Sequence, residues 1–189
     1  MSTVSEIDQI IVATDSEDIS STVEAFGLDK VSIYNRLPDN ALDTSSTESV
    51  MLEYLQQENW PDATAFILTQ ATSPLTQSQH FKEALHQYRT SASDSLLTAC
   101  RSKRFFWNDD GTAINYDYKN RPRRQDFDGY LMENGAFYIN SVGNIMRDRN
   151  RLSGQITLYE MPEYTALELD EPSDWIVGEQ LLKKYIIGE

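Results

Sequence analysis

One cysteine, two histidines, no apolar stretch near the ~18 residues of a membrane span and a shortage of positive charge are the first features of this 189-residue chain. Each shortage excludes something. A lone cysteine, Cys100, cannot form a disulfide within the chain or the paired thiolates of a zinc ribbon. In the apolar run "SLLTAC" it reads as a small buried hydrophobe. The start, "MSTVSEIDQIIVATD", lacks the basic region and apolar stretch of a signal peptide, so a cytoplasmic location is expected. Sixteen basic residues stand against 30 acidic ones, a net charge of −14 that argues against nucleic acid and anionic membrane surfaces as partners.

What is present describes a globular chain: 40% hydrophobic and 11% aromatic residues, with no low-complexity tract or internal repeat. Its length suits a single domain over residues 1–189. Short β-branched runs alternate with amphipathic segments. "QIIVA" (9–13), "VSIY" (31–34), "AFILT" (65–69) and "SLLTAC" (95–100) read as strands. Helices are predicted after Asp15, over about 46–58, where Ser45 and Glu48 have capping-box spacing, and in "SQHFKEALHQYR". Asp110-Gly111 between β-prone runs predicts a hairpin in the region 101–150; "AFYI", "ITLYE" and "ALELD" supply further strands. A last helix begins near Pro172 and Ser173. The alternation predicts an α/β fold with a mainly parallel, helix-covered sheet.

In such sheets ligands bind beyond the carboxyl ends of the strands, which directs attention to Thr14-Asp15, "QATSPL" (70–75), and Glu168 with Asp170. Helix capping accounts for the first pair, and a proline-fixed turn accounts equally well for the second. Two residues apart in a strand, Glu168 and Asp170 would share a face and suit a hard cation; acidic pairs of this spacing are also common on exposed strands. Glu171 and Asp174 fit the first turn of the last helix better than coordination. Against the acidic background, residues 101–124 hold seven basic residues and three acidic ones, either a solvated hairpin face or a site for a small anion.

"IIVATDSEDI", "RLPDNALDTSSTESV", "LTQATSPL", "RRQDFDGYLMENGAFYI" and "LELDEPSD" occur in an order and spacing that resembles the CMP-sialic acid synthetases, the acylneuraminate cytidylyltransferase family. The combination Q-x-T-S-P-L, R-R-Q-D and N-G-A-x-Y-I carries the resemblance over nearly the whole chain. It implies a three-layer Rossmann-like nucleotidyltransferase fold with a small β-rich dimerisation insertion, a homodimer, and a Mg2+-dependent reaction of CTP with a nonulosonic acid that yields a CMP-sugar and pyrophosphate. By the same resemblance Arg124 faces the sugar carboxylate, and Gln70 and Tyr138 line the sugar pocket. Thr72, Ser73, Gln125 and Asn134 fall in the matching substrate motifs, and Arg36 with Ser45–Thr47 matches the cytosine-reading segment. Glu168 and Asp170 match the metal pair, whose first member is usually aspartate, and the resemblance also places Arg124 and Asp170 in the catalytic set.

Two departures stand out. Nothing in the chain resembles the family's opening strand and "I-P-A-R-G-G-S-K-G-I-P-x-K-N" loop, so the resemblance implies a shortened chain, with residues 10–13 and 65–69 expected to flank an absent strand. The other is Met132, where sialic acid enzymes carry a second carboxylate-binding arginine. No phosphatase domain, which some relatives append, is expected here. The alternative to an active enzyme is a non-catalytic subunit that keeps the sugar pocket or the dimer surface.

Overall fold

Aliphatic runs become strands where the β-branched pattern puts them. The computed structural model describes residues 1–42 and 44–188, with elements β1 (Ile10–Thr14), α1 (Glu17–Ala25), β2 (Val31–Asn35), α2 (Thr47–Gln57), β3 (Ala65–Thr69), α3 (Ser78–Thr90), β4 (Ser95–Ser102), β5 (Tyr130–Ser141), α4 (Val142–Asp148), β6 (Ile156–Met161) and α5 (Pro172–Leu182). Strands β1 and β2 pair in parallel, from Ile10 opposite Val31 to Thr14 opposite Asn35. The other four follow the order β3-β5-β4-β6, with β5 antiparallel to β3 from Ala65 opposite Ser141 to Thr69 opposite Phe137. The fold is α/β, as expected, and the β3–β5 pair departs from parallel order. Among the described residues no helix is long and apolar enough to cross a membrane.

The chain forms two compact units. The first comprises Met1–Gln70, Thr76–Leu97 and Phe137–Tyr159. Its core joins Met51, Leu52, Tyr54 and Leu55 of α2 to Val142 and Ile145 of α4, and Ile11, Tyr34, Phe66 and Leu68 pack against this cluster. Burying side chains of this size contributes about 1.5–3 kcal/mol each. Phe81 of α3 stacks on Phe137 with ring centroids 4.5 Å apart. Thus β1 and β3 belong to different sheets while sending side chains to one helical cluster. The opening segment is tied down: Val4 and Ile7 are buried, and Lys30 Nζ donates to both their carbonyls, at 3.0 and 2.7 Å.

The second unit comprises Ala71–Leu75, Thr98–Ala136 and the segment from Glu160. Cys100 is buried there, as expected, beside Thr165 Oγ1 at 3.2 Å. Phe105, Tyr116 and Phe127 form an aromatic group, with the Arg121 guanidinium 4.7 Å from the Phe105 ring centroid. Asp110-Gly111 does turn the chain, with Gly111 at φ +81°, but the flanks form only an isolated bridge, Trp107 to Ala113.

Four local expectations are corrected. Ser46, not Ser45, caps α2, its side chain accepting from Ser49 N, so the Ser45–Glu48 capping box does not form. Ser16 caps α1, whereas Thr14 accepts from Ser16 N and Asp15 pairs with Arg36. "ALELD" is no strand: its Ala166 closes a short 3-10 turn, and Leu169 N donates to Thr72 O at 2.9 Å. Strand β5 begins at Tyr130, earlier than "AFYI", and leads into the unanticipated helix α4. Conversely, Glu171 and Asp174 do form the capping box of α5.

Candidate active site

In the first unit, Arg36 follows β2 and its Nη2 donates to Asp15, whose carboxyl is held below its ordinary value first by that contact. The Arg36 Nε is buried without a hydrogen-bond partner among the described residues. Ser45 is half-buried, accepting from Leu42 N and donating to Asp39 O, while Thr47 is exposed in the first turn of α2. The amides of that turn supply donors in excess of intrahelical acceptors. Behind this segment Glu53, only 7% exposed, accepts from Tyr34 Oη (2.6 Å), Leu37 N (2.8 Å) and Asn40 Nδ2 (2.5 Å) and so fixes the Arg36–Asn40 turn against α2.

Tyr138 lies opposite Leu68 in the β3–β5 register, and directly opposed residues in an antiparallel pair share a face. Gln70, two residues beyond Leu68 and half-buried, follows on that side of the strand end. Over Tyr138 sits Arg151, its guanidinium carbon 4.8 Å from the ring centroid, and the same guanidinium holds Glu48 of α2 through two hydrogen bonds, at 2.5 and 2.9 Å. Neither Arg151 nor Glu48 was legible as a site residue: Arg151 stands outside every quoted motif, and Glu48 had a capping role assigned to it. The first unit therefore gathers Tyr138 and, through Arg151, the start of α2.

In the second unit the bond from Leu169 N to Thr72 O fastens the Thr72-Ser73 turn to the residue between Glu168 and Asp170. Ser73 is 6% exposed and its hydroxyl has no partner among the described residues. Gly178 of α5 lets the helix approach that same stretch; a Cβ there would lie 3.2 Å from Leu167 and 3.3 Å from Leu169 side-chain atoms. Partial burial, then the neighbouring Asp170 and Glu133 carboxylates, push the Glu168 carboxyl above its ordinary value. Both acids thus act on Glu168, and Glu133 is an addition that the motifs did not single out.

Arg124 and Gln125 are exposed, and Arg124 Nη2 donates to Glu163 at 2.9 Å. Asn134 is different. At 2% exposure its Nδ2 is directed to Thr165 Oγ1 (3.2 Å) and O (3.4 Å), with Cys100 Sγ and Met161 Sδ also at 3.4 Å, so its amide serves the interior of the unit.

A helix-covered α/β sheet with polar turns after its strands and a paired-acid stretch before the last helix defines a protein of the nucleotidyltransferase fold. Solved structures agree: 4-diphosphocytidyl-2C-methyl-D-erythritol synthase of Anaerococcus prevotii superposes with a TM-score of 0.70 at 16% identity, over 96% of this chain and 82% of that one. A CMP:2-keto-3-deoxy-manno-octonic acid synthetase complexed with CTP gives 0.64 at 16% identity, over 97% and 84%. Residues 2–174 match the family model described as cytidylyltransferase, and the chain belongs to that family. The N-acylneuraminate cytidylyltransferase of Oncorhynchus mykiss is 33% identical over 188 residues, and that of Streptococcus agalactiae serotype V is 27% identical over 173. These cover 95% and 88% of this chain, which spans 42% and 41% of the respective relatives' lengths.

Proposed function

We propose that the chain carries out cytidylyl transfer from CTP to a nonulosonic acid of the sialic type. The observation that carries this reading is the Thr72–Leu169 bond, which holds the Thr72-Ser73 turn and the Glu168–Asp170 stretch together in one unit. In the reaction a sugar hydroxyl oxygen forms a bond to the α-phosphorus, the bond from that phosphorus to the bridging oxygen of the β-phosphate breaks, pyrophosphate leaves, and the hydroxyl proton passes to solvent. Arg36 and the first turn of α2, with Ser45 and Thr47, offer donors to the acceptor edge of cytosine. Arg124 is the cation for the sugar carboxylate. Its pair with Glu163 leaves the side chains 62% and 70% exposed, and such surface pairs contribute only about 0–1 kcal/mol, so a substrate carboxylate can replace Glu163 at little cost.

The residues fit Mg2+. Two carboxylates plus phosphate oxygens are a usual Mg2+ set, and the crowding of Glu168 by Asp170 and Glu133 is an excess of negative charge that a divalent cation would relieve. Glu168 and Asp170 would hold it, and it would offset charge on the phosphates. Among the described residues no group of three or more His, Cys, Asp or Glu is arranged to hold a metal. This reading also takes the exposed Phe106, Trp107, Ile114, Tyr118 and Tyr130 of the second unit as the dimer surface.

A non-catalytic chain that retains its subsites is the second reading, favoured by the separation of β1 and β3 into different sheets. The deciding experiment incubates the purified chain with CTP, Mg2+ and either N-acetylneuraminate or 2-keto-3-deoxy-manno-octonate and follows pyrophosphate release. Release that depends on the sugar acid establishes transfer. Binding of CTP or of the sugar acid without release selects the non-catalytic reading, absence of CTP binding overturns transfer, and absence of binding of CTP and of both sugar acids overturns retained subsites as well.

A further inference from the structure

Within the first unit one ion pair joins two segments that the proposed reaction uses separately. Glu48 stands in the first turn of α2, next to Thr47, and Arg151 lies 103 positions further along the chain. Arg151 Nε and Nη2 meet the two Glu48 carboxylate oxygens, and both side chains are largely withdrawn from water, at 19% and 24% exposure. The same planar guanidinium covers the Tyr138 ring, its carbon 4.8 Å from the centroid. A fork that bonds a carboxylate along one edge and stacks on an aromatic ring with its face has little rotational freedom left.

The backbone of Arg151 is held as firmly as its side chain. Asn140 of β5, two residues beyond Tyr138, donates its Nδ2 to Arg151 O at 3.2 Å and to Ser153 Oγ at 3.0 Å. Ser153 in turn exchanges bonds with Ser95, its amide donating to the Ser95 hydroxyl and its carbonyl accepting from it. The segment carrying Arg151 is therefore fastened to β5 and β4, and the guanidinium transmits that position to the start of α2.

We propose that Glu48 and Arg151 are positioning residues that couple the two subsites: they hold the base-reading first turn of α2 to the ring of the sugar-binding Tyr138, so that CTP and the sugar acid bind cooperatively. This rests on the proposed function. The physical basis is shared ordering. A ligand that fixes the start of α2 also fixes Glu48, hence the Arg151 fork, hence the Tyr138 ring; the second ligand then meets a site already ordered and loses less freedom on binding. A contact that only stabilised the fold would not link the two affinities.

Calorimetric titration of the full chain with CTP, with and without saturating N-acetylneuraminate, and the reciprocal titration, test this directly. In the wild-type protein each ligand should tighten the other by about fivefold or more, the lower end of ordinary coupling between sites. In Glu48→Gln and Arg151→Lys that factor should fall below about twofold, whatever the affinity for CTP alone. Variants with a lowered melting temperature but intact coupling would assign the pair to stability alone and overturn the proposal. Should the variants fail to fold, hydrogen exchange on the wild-type chain decides: CTP must slow exchange in residues 137–141 and 149–153, and protection confined to the α2 region overturns the bridge. Independent binding of both ligands to the wild-type chain overturns the bridge and leaves cytidylyl transfer standing. Absence of CTP binding overturns that transfer and the bridge together.

Discussion

Glu53 shows what a single buried carboxylate can organise. It accepts from Tyr34 Oη, Leu37 N and Asn40 Nδ2, three donors drawn from the strand and turn that lead to Arg36. Burial is the largest single influence on its carboxyl and raises it, yet the three donors and Arg36 together outweigh burial and hold it below the ordinary glutamate value. Tyr34, partly buried and facing Glu53, is pushed up to about 12, first by loss of solvation, and stays a donor at neutral pH. A carboxyl depressed in the folded state contributes stability above its unfolded value, which is lost as pH falls through the folded value. Glu53→Gln turns an amide toward existing donors and should destabilise the fold by about 1–3 kcal/mol at pH 7. Urea denaturation at pH 7 and pH 4 should show this difference shrinking at the lower pH; an equal difference at both would refute the role given to the charge.

Arg124 is the opposite case, an exposed cation with one exposed partner. Replacing it should leave stability within about 0.5 kcal/mol. Under the proposed function, Arg124→Ala should raise KM for the sugar acid by tenfold or more while KM for CTP stays near its wild-type value, as steady-state pyrophosphate release would report. A matching rise in both would place Arg124 at the phosphates instead.

At the scale of elements, legibility followed the range of the forces involved. The apolar runs "AFILT" and "VSIY" announced β3 and β2 because alternation and β-branching are local properties. "ALELD" misled because it has strand composition but little ladder: the backbone bond from Leu169 N to Thr72 O ties it to a turn, not to a neighbouring strand. The acidic pair was read from type and spacing, and its crowding with Glu133 comes from the fold. Ser45 and Ser46 are equally good caps on paper. The structure chooses Ser46, and Glu48, which would complete the box with Ser45, is drawn instead to Arg151. Such a long-range competitor leaves no trace in a local pattern. The choice has a measurable consequence: Ser46→Ala should cost about 1 kcal/mol through the lost cap, whereas Ser45→Ala should cost a few tenths. Denaturation midpoints of the two variants give the comparison, and equal losses would return the cap to shared use.

At the scale of the molecule, charge and strand edges act against each other. In the first unit β1 is paired with β2 and β3 with β5, and among the described residues neither has a second strand partner. Their side chains are incompletely covered: Ile11, Phe66 and Leu68 are only partly buried although they pack on the α2–α4 cluster, and α1 buries none of its residues. Ile19, Phe26 and Leu28 add exposed apolar surface on the same unit. Open edges of this kind present unpaired amide and carbonyl groups that pair readily with another chain. Opposing this is the net charge of −14, which keeps like molecules apart at low ionic strength and is screened over about 10 Å at 0.1 M salt. Self-association through the β1 and β3 edges should therefore strengthen as salt rises, the reverse of an association held by ion pairs. Sedimentation velocity at about 0.02 M and 0.5 M salt would measure it, with Val12→Lys and Ile67→Lys as variants whose new charge on each edge should suppress the larger species. A single species of unchanged mass at both salt concentrations, unfolding cooperatively on heating, would show that these edges are closed to other chains.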